Sequence, residues 1–199
     1  MLDRIVLLRH GRTAFNAERR MQGRLDPPLD ATGQAQAAAV APAVAKLAPV
    51  VVVSSDQTRA WQTALAATEG LDVEPQKEPR LRETDVGAWQ GLVDDEVDAG
   101  WPGGLEAWRQ DPLHRPPDGE SRYDASLRAL PVLHELVDAD LSGTALVVAH
   151  GGVIIAMTFG FLGLPIEHWG AFGALGNCRT AVLEHRLDRW RLARWGAGA

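Results

Sequence analysis

The sequence predicts an α/β fold, a three-layer α/β/α sandwich in which helices cover both faces of a mostly parallel central sheet. Short aliphatic runs at residues 4–8, 50–53 and 144–149 are apolar on both faces, as the central strands of parallel sheets are. Each run ends abruptly in polar residues: Arg9-His10-Gly11, Ser54-Ser55-Asp56 and His150-Gly151-Gly152. Helix-patterned stretches separate the runs, and strands alternating with helices form covered parallel sheets.

The remaining elements follow in order. After a loop containing Pro27 and Pro28, Asp30 is placed to cap an Ala-rich helix reaching about Leu47, which Pro42 should kink or divide. Residues 57–69 read as a helix with Asp56 as its cap, and residues 73–75 as a short strand. Residues 80–122 are irregular and rich in Gly, Pro, Asp and Trp. So long a connection reads as functional, and residues 92–122 are expected to be a lid-like insertion in a single domain spanning 1–199. A long helix is expected over 121–138. Two alternating strands, 179–185 and 189–195, flank a turn at Leu187-Asp188.

Composition narrows the function classes. A chain of 199 residues suits one domain with a sizeable core. The formal net charge of −6 argues against a general nucleic-acid binder, which needs a basic surface. An anion could still bind through a local cluster of positive groups. The single cysteine, Cys178, excludes an intramolecular disulfide and a multi-cysteine zinc site. The apolar run near the N-terminus is too short for the core of a signal peptide, and no stretch is long enough to cross a bilayer. A cytoplasmic protein with no membrane partner is expected.

In open α/β sheets the ligand lies beyond the carboxyl ends of the strands. Three strands deliver polar clusters to that edge here: Arg9-His10, Ser55-Asp56 with Arg59 a turn later, and His150. Two guanidiniums can grip a phosphate dianion with charge-assisted hydrogen bonds. A neutral imidazole can attack phosphorus and divide the transfer into two easier steps. A helix starting after Gly151-Gly152 adds backbone N–H donors and a favourable dipole. An acid for the leaving oxygen is still required, and Glu83 or Asp56 could supply it.

These residues resemble the histidine phosphatase (phosphoglycerate mutase-like) superfamily. The resemblance begins at LRHGRT (Leu8–Thr13) with Asn16, and continues through Gln22-Gly23, the helix start at Leu29 and SSDQTRAWQTA (Ser54–Ala64). It then takes in LRETDVGAWQG (Leu81–Gly91), Gly119-Glu120-Ser121 and VVAHGG (Val147–Gly152). It implies a phosphoglycerate mutase-like fold and a phosphohistidine on His10. Arg9, Arg59 and His150 are implied to bind the phosphoryl group, assisted by Asn16, with Gln22, Gly23 and Gly151 beside it. Glu83 stands at the position of the proton donor that later activates water. No metal and no cofactor are implied, the substrate is a small anionic phosphorylated metabolite, and the assembly allowed for is a homodimer.

The form of LRETDVGAWQG and the short chain imply a phosphatase rather than a mutase. The blocks around Gln22, Trp89 and Trp108 resemble the branch acting on glucosyl-3-phosphoglycerate. Trp101 and Trp108 could line its sugar, and Arg12, Arg24 or Arg122 could meet its carboxylate. A broad-specificity phosphatase, an α-ribazole phosphatase, a mutase and a catalytically idle phospho-ligand-binding module are the alternatives.

Overall fold

Side chains alternate across a strand, so a run apolar at every position must be covered on both faces. In the computed structural model, which describes residues 2–198, β1 (Leu2–Arg9) turns Ile5 and Leu7 to one face and Val6 and Leu8 to the other. The first pair packs under α6 (Arg122–Asp138) and α7 (Gly151–Phe161) through Leu133, Ile154 and Met157. The second packs under α2 (Ala31–Leu47) and α3 (Thr58–Ala67) through Val40, Val44, Ala60 and Ala64. Three layers result, as expected.

The sheet runs β3-β2-β4-β1-β5-β6, with β2 at Pro49–Ser54, β3 at Gln76–Lys77, β4 at Gly143–Ala149, β5 at Arg179–Arg186 and β6 at Arg189–Gly198. The first four in that order are parallel, and the C-terminal hairpin is antiparallel. Leu8 and Ser54 both pair with Val148, so β1, β2 and β4 end level with one another. That register brings His10, Ser55 and His150 to one edge. The hairpin turn at Leu187 and Asp188 has φ of 54° and 57°, the left-handed pair that matches strand twist.

Three expectations need correction. α2 runs unbroken through Pro42, because Ala37, Val40 and Val44 anchor both halves on the sheet; Asp30 caps it, accepting from Gly33 N at 2.7 Å. The short strand is not at 73–75 but just beyond, at Gln76–Lys77, where pairing with β2 needs no N–H from Pro75. The stretch 80–122 is not irregular. It holds 3₁₀ turns at Pro79–Leu81 and Gly87–Trp89, α4 (Asp94–Gly100) and α5 (Gly104–Gln110), preceded in the chain by the one-turn α1 (Ala14–Ala17). Helices of seven residues are too short for their period to register in sequence.

This stretch has its own small core, in which the wholly buried Trp89 meets the rings of Trp101 and Trp108 at 6.4 and 6.2 Å. It leaves and rejoins the fold through one neck. Ala88 N donates to Pro117 O at 2.9 Å and Glu120 N to Asp85 O at 2.9 Å. Gly87 has φ +50°, and a Cβ there would lie 2.0 Å from Pro117 O, so only glycine fits.

Candidate active site

The edge where β1, β2 and β4 end carries a cleft of about 190 Å³, lined by Arg9, His10, Asn16, Gln22, Gly23, Glu83 and Gly152. His10 is 1 % exposed. Its Nδ1 lies 2.7 Å from Gly11 O. A carbonyl only accepts, so Nδ1 carries the ring proton and Nε2 keeps its lone pair. Burial, then the charges of Arg59 and Arg9, hold the ring pKa well below the ordinary histidine value. His10 is therefore a neutral imidazole whose Nε2 is free of hydrogen.

His150, the cap of α7, is wholly buried, with its ring centroid 5.1 Å from that of His10. Burial, Arg59 and His10 likewise keep its pKa well down. Nε2 lies 2.8 Å from Ser55 Oγ, and Nδ1 is buried with no partner among the described residues.

Arg59, on the first turn of α3, has no exposed side-chain surface. It donates to Leu25 O at 2.8 Å and Gly23 O at 3.0 Å, which fixes the planar fork from the side of the Gln22–Leu25 loop. Burial pulls it down to about 10, so it stays charged at neutral pH. Arg9 donates to Leu175 O, and the Nε atoms of both arginines are buried and unpaired among the described residues. The floor of the cleft thus holds two cations with N–H groups to spare.

Glu83 reaches the start of α7. Its Oε1 accepts from Thr84 N at 2.8 Å and Val153 N at 3.2 Å, and its Oε2 from Gly152 N at 3.2 Å. A Cβ on Gly152 would sit 2.7 Å from Glu83 Oε1, so the bare backbone lets the carboxylate in. Gly151 packs beside Arg9, whose Nε lies 3.4 Å from the place of a Cβ, an ordinary contact distance. Asn16 Oδ1 accepts from Thr13 N and from Asn177 Nδ2, both at 3.2 Å, and Gln22 Oε1 accepts from Thr13 Oγ1 at 2.9 Å. The nine residues expected at the site are thus assembled together, with Arg59 and His150 beneath the cleft rather than on its wall.

One other expectation, the cap of α3, does not hold. Asp56 is not the cap of α3; Gln57 stands there without a side-chain cap bond. Asp56 instead pairs with Arg82 at 2.8 and 2.5 Å, which lowers its pKa, and faces a separate cleft of about 440 Å³ shared with Arg24, Asp26 and Asp85. Arg12 is tied to Asp30 and Thr32. Arg24 pairs with Glu120. Arg122 donates to the carbonyls of Trp108 and Arg109, with its Cζ 5.6 Å from the Trp108 ring centroid. Besides Arg9, the arginine lining the cleft is Arg20, with Met21, Thr84, Val86 and Trp108.

Sequence reasoning also missed Gln57, whose amide donates to Gly23 O at 3.1 Å and whose Oε1 accepts from Glu83 N at 2.7 Å. It missed Asn177, which donates to His10 O at 3.1 Å. No local signal marks Asn177, which lies far along the chain at the start of β5. Gln57 lies within SSDQTRAWQTA, between the strand end and Arg59, and that position is the signal that marks it. Cys178 is buried, and burial pushes its thiol up to about 11. No helix among the described residues is long and apolar enough to cross a membrane.

Paired imidazoles and guanidiniums at this edge of such a sheet define a class. The sequence matches the family model of the histidine phosphatase superfamily (branch 1) over residues 5–198, and the chain belongs to that family. It is 44 % identical to the glucosyl-3-phosphoglycerate phosphatase of Mycolicibacterium vanbaalenii, over 98 % of this chain and 95 % of that one. The mycobacterial glucosyl-3-phosphoglycerate phosphatase in complex with VO3 superimposes with a TM-score of 0.94 at 41 % identity, covering 98 % of this chain and all of that one. The same enzyme in complex with inorganic phosphate gives 0.92 at 39 % identity, covering 98 % of each chain.

Proposed function

We propose that this protein is a phosphatase that hydrolyses glucosyl-3-phosphoglycerate through a phosphohistidine on His10. The observation carrying the reading is the protonation geometry of His10. Its Nδ1 is occupied by Gly11 O, leaving an Nε2 lone pair over a buried double cation. Arg9, Arg59, His150 and Asn16 would hold the phosphoryl oxygens, and Gly23, Gln22 and Gly151 shape the ground around them. Nε2 attacks phosphorus, the P–O ester bond breaks, and Glu83 hands a proton to the departing oxygen. Water then attacks the phosphohistidine, Glu83 takes its proton, the P–N bond breaks and inorganic phosphate leaves. Charge is neutralised by preorganised side chains and backbone donors, so no metal enters the scheme.

The substrate follows from the relatives' names together with the rim. Trp108 offers an apolar face to a sugar ring, and Arg20 a cation to a carboxylate. Residues 92–122, which carry Trp108, are read as a lid-like insertion in one domain, and the protein as a cytoplasmic enzyme able to form a homodimer.

The test is phosphate release, with chelator present, from glucosyl-3-phosphoglycerate, 3-phosphoglycerate, α-ribazole phosphate and p-nitrophenyl phosphate. The glucosylated acid is expected to have the highest kcat/KM. Equal rates on it and the aryl phosphate would leave a broad-specificity phosphatase, and no release from any of them would overturn the reaction.

A further inference from the structure

Ser55 has no part in the reaction just described, yet it touches the second imidazole. The residue is wholly buried at the end of β2. Its Oγ lies 2.8 Å from His150 Nε2 and 3.3 Å from the backbone N of Gln57. These two contacts can be sorted by which atoms carry hydrogen. The Gln57 N–H can only donate, so it occupies a lone pair of Oγ. The Ser55 hydroxyl hydrogen then needs an acceptor, and among the described residues the one within reach is His150 Nε2. Were Nε2 itself protonated, the hydroxyl hydrogen would be left unpaired in a fully buried place, which is the more costly arrangement.

A neutral imidazole that accepts at Nε2 carries its hydrogen at Nδ1. That atom is buried with no partner among the described residues, on a ring 5.1 Å from His10. A buried N–H kept free beside two guanidiniums matches an anionic oxygen.

We propose that Ser55 is a positioning residue: by donating to His150 Nε2 it locks His150 as the Nδ1–H tautomer and aims that N–H at an oxygen of the phosphoryl group on His10. The aim rests on the phosphohistidine reading above, whereas the tautomer does not. His10 and His150 thus both carry the hydrogen on Nδ1, for opposite purposes. In His10 it frees Nε2 to attack; in His150 it makes Nδ1 the donor.

Nitrogen-15 spectra of the histidine side chains at pH 8 test this without a variant, since protonated and bare ring nitrogens resonate apart. His150 should show a bare Nε2 and a protonated Nδ1. A protonated Nε2 in the wild type would overturn the proposal on its own. In Ser55→Ala the His150 signals should move toward the other tautomer or an average of the two, while those of His10, fixed by Gly11, stay. The same variant should bind inorganic phosphate about tenfold more weakly and lose ten- to a hundredfold in kcat, with Ser55→Thr restoring most of both. Unchanged His150 signals and phosphate affinity in a folded Ser55→Ala protein would also overturn it. If the tautomer is as stated but no phosphate ester is hydrolysed, the function and the aim at a phosphoryl oxygen fail, and the locking of the tautomer by Ser55 stands.

Discussion

His10, Arg59 and His150 are at most 1 % exposed, and backbone carbonyls or a buried hydroxyl hold each of them. Arg20 and Trp108 reach the same cleft from partly exposed positions, Arg20 being shared between Glu18, Glu96 and Gly91 O, and Trp108 being backed by Arg122. Floor and rim therefore differ in kind. On the proposed reading the floor is preorganised for a group that every phosphate monoester possesses, and it cannot adapt without leaving buried charge unpaired. On the rim Arg20 is held by solvated ion pairs, each worth little, and Trp108 by packing against Trp89 and Arg122, so the rim can differ from substrate to substrate. The contrast teaches where chemistry and where specificity are stored.

Changes to the floor should damage every substrate alike. His10→Ala should lower turnover by about 10⁴-fold or more on glucosyl-3-phosphoglycerate and p-nitrophenyl phosphate together, since no other group can take the phosphoryl. Quenching the wild type in base during turnover should trap a label on His10. Retention of more than a tenth of the activity would end the proposed mechanism.

Glu83 lies between the two regions and should behave so. Glu83→Gln should cost about 10²- to 10⁴-fold on the glucosylated substrate, the usual worth of a positioned acid, and much less on p-nitrophenyl phosphate, whose leaving group needs little protonation. Equal losses would remove the acid role from Glu83.

Rim variants should split the substrates. Arg20→Ala and Trp108→Phe should each lower kcat/KM for glucosyl-3-phosphoglycerate by about ten- to a hundredfold, the worth of a charge-assisted contact in the case of the arginine. p-Nitrophenyl phosphate should hardly notice either change. A uniform loss would mean that floor and rim are one unit.

Proton uptake probes the floor in another way. The folded protein holds His10 and His150 well below the ordinary histidine value, through burial and the two arginines. In the unfolded chain both titrate near 6.5, so below that pH the unfolded state binds more protons and stability falls. The loss should approach about 1.4 kcal/mol per pH unit for each histidine well below pH 6.5, a tenfold change, and should fade out toward about pH 8. Denaturant titrations between pH 8 and 5 measure it. A His10→Gln, His150→Gln double variant as sensitive to acid as the wild type would contradict the burial argument.

Much of the floor was legible in sequence because its residues follow directly from strand ends. An aliphatic run that stops at Arg9-His10 or at His150 states both the element and the edge on which its side chains emerge. Arg59 was readable for a similar reason, lying one turn into the helix after such a run. The rim was not readable this way. Arg12, Arg20, Arg24 and Arg122 look equivalent as letters, and only the folded position of Arg20 on the cleft wall separates it from the others. Asp56 looked like a cap because it precedes a helix, but Arg82, brought alongside by the chain's return at residue 82, claims it. Ser55 was legible as a strand-end polar residue but its contact with His150 was not, and Asn177 was not legible at all, because those partners lie well over fifty residues away, which no local pattern encodes.

The neck at Gly87 and Gly119 bears on how this chain can change over generations. Because the path departs and comes back between two backbone segments in contact, insertions or deletions beyond that clamp need not disturb the sheet register or the strand ends. Loop length adds little to the cost of closure once the ends are pinned. Gly91 and Leu92 also pair with Met21, so the replaceable cassette is the part beyond them, residues 93–116, and a transplant of it from a relative with another preference should carry that preference across while leaving the His10 chemistry in place.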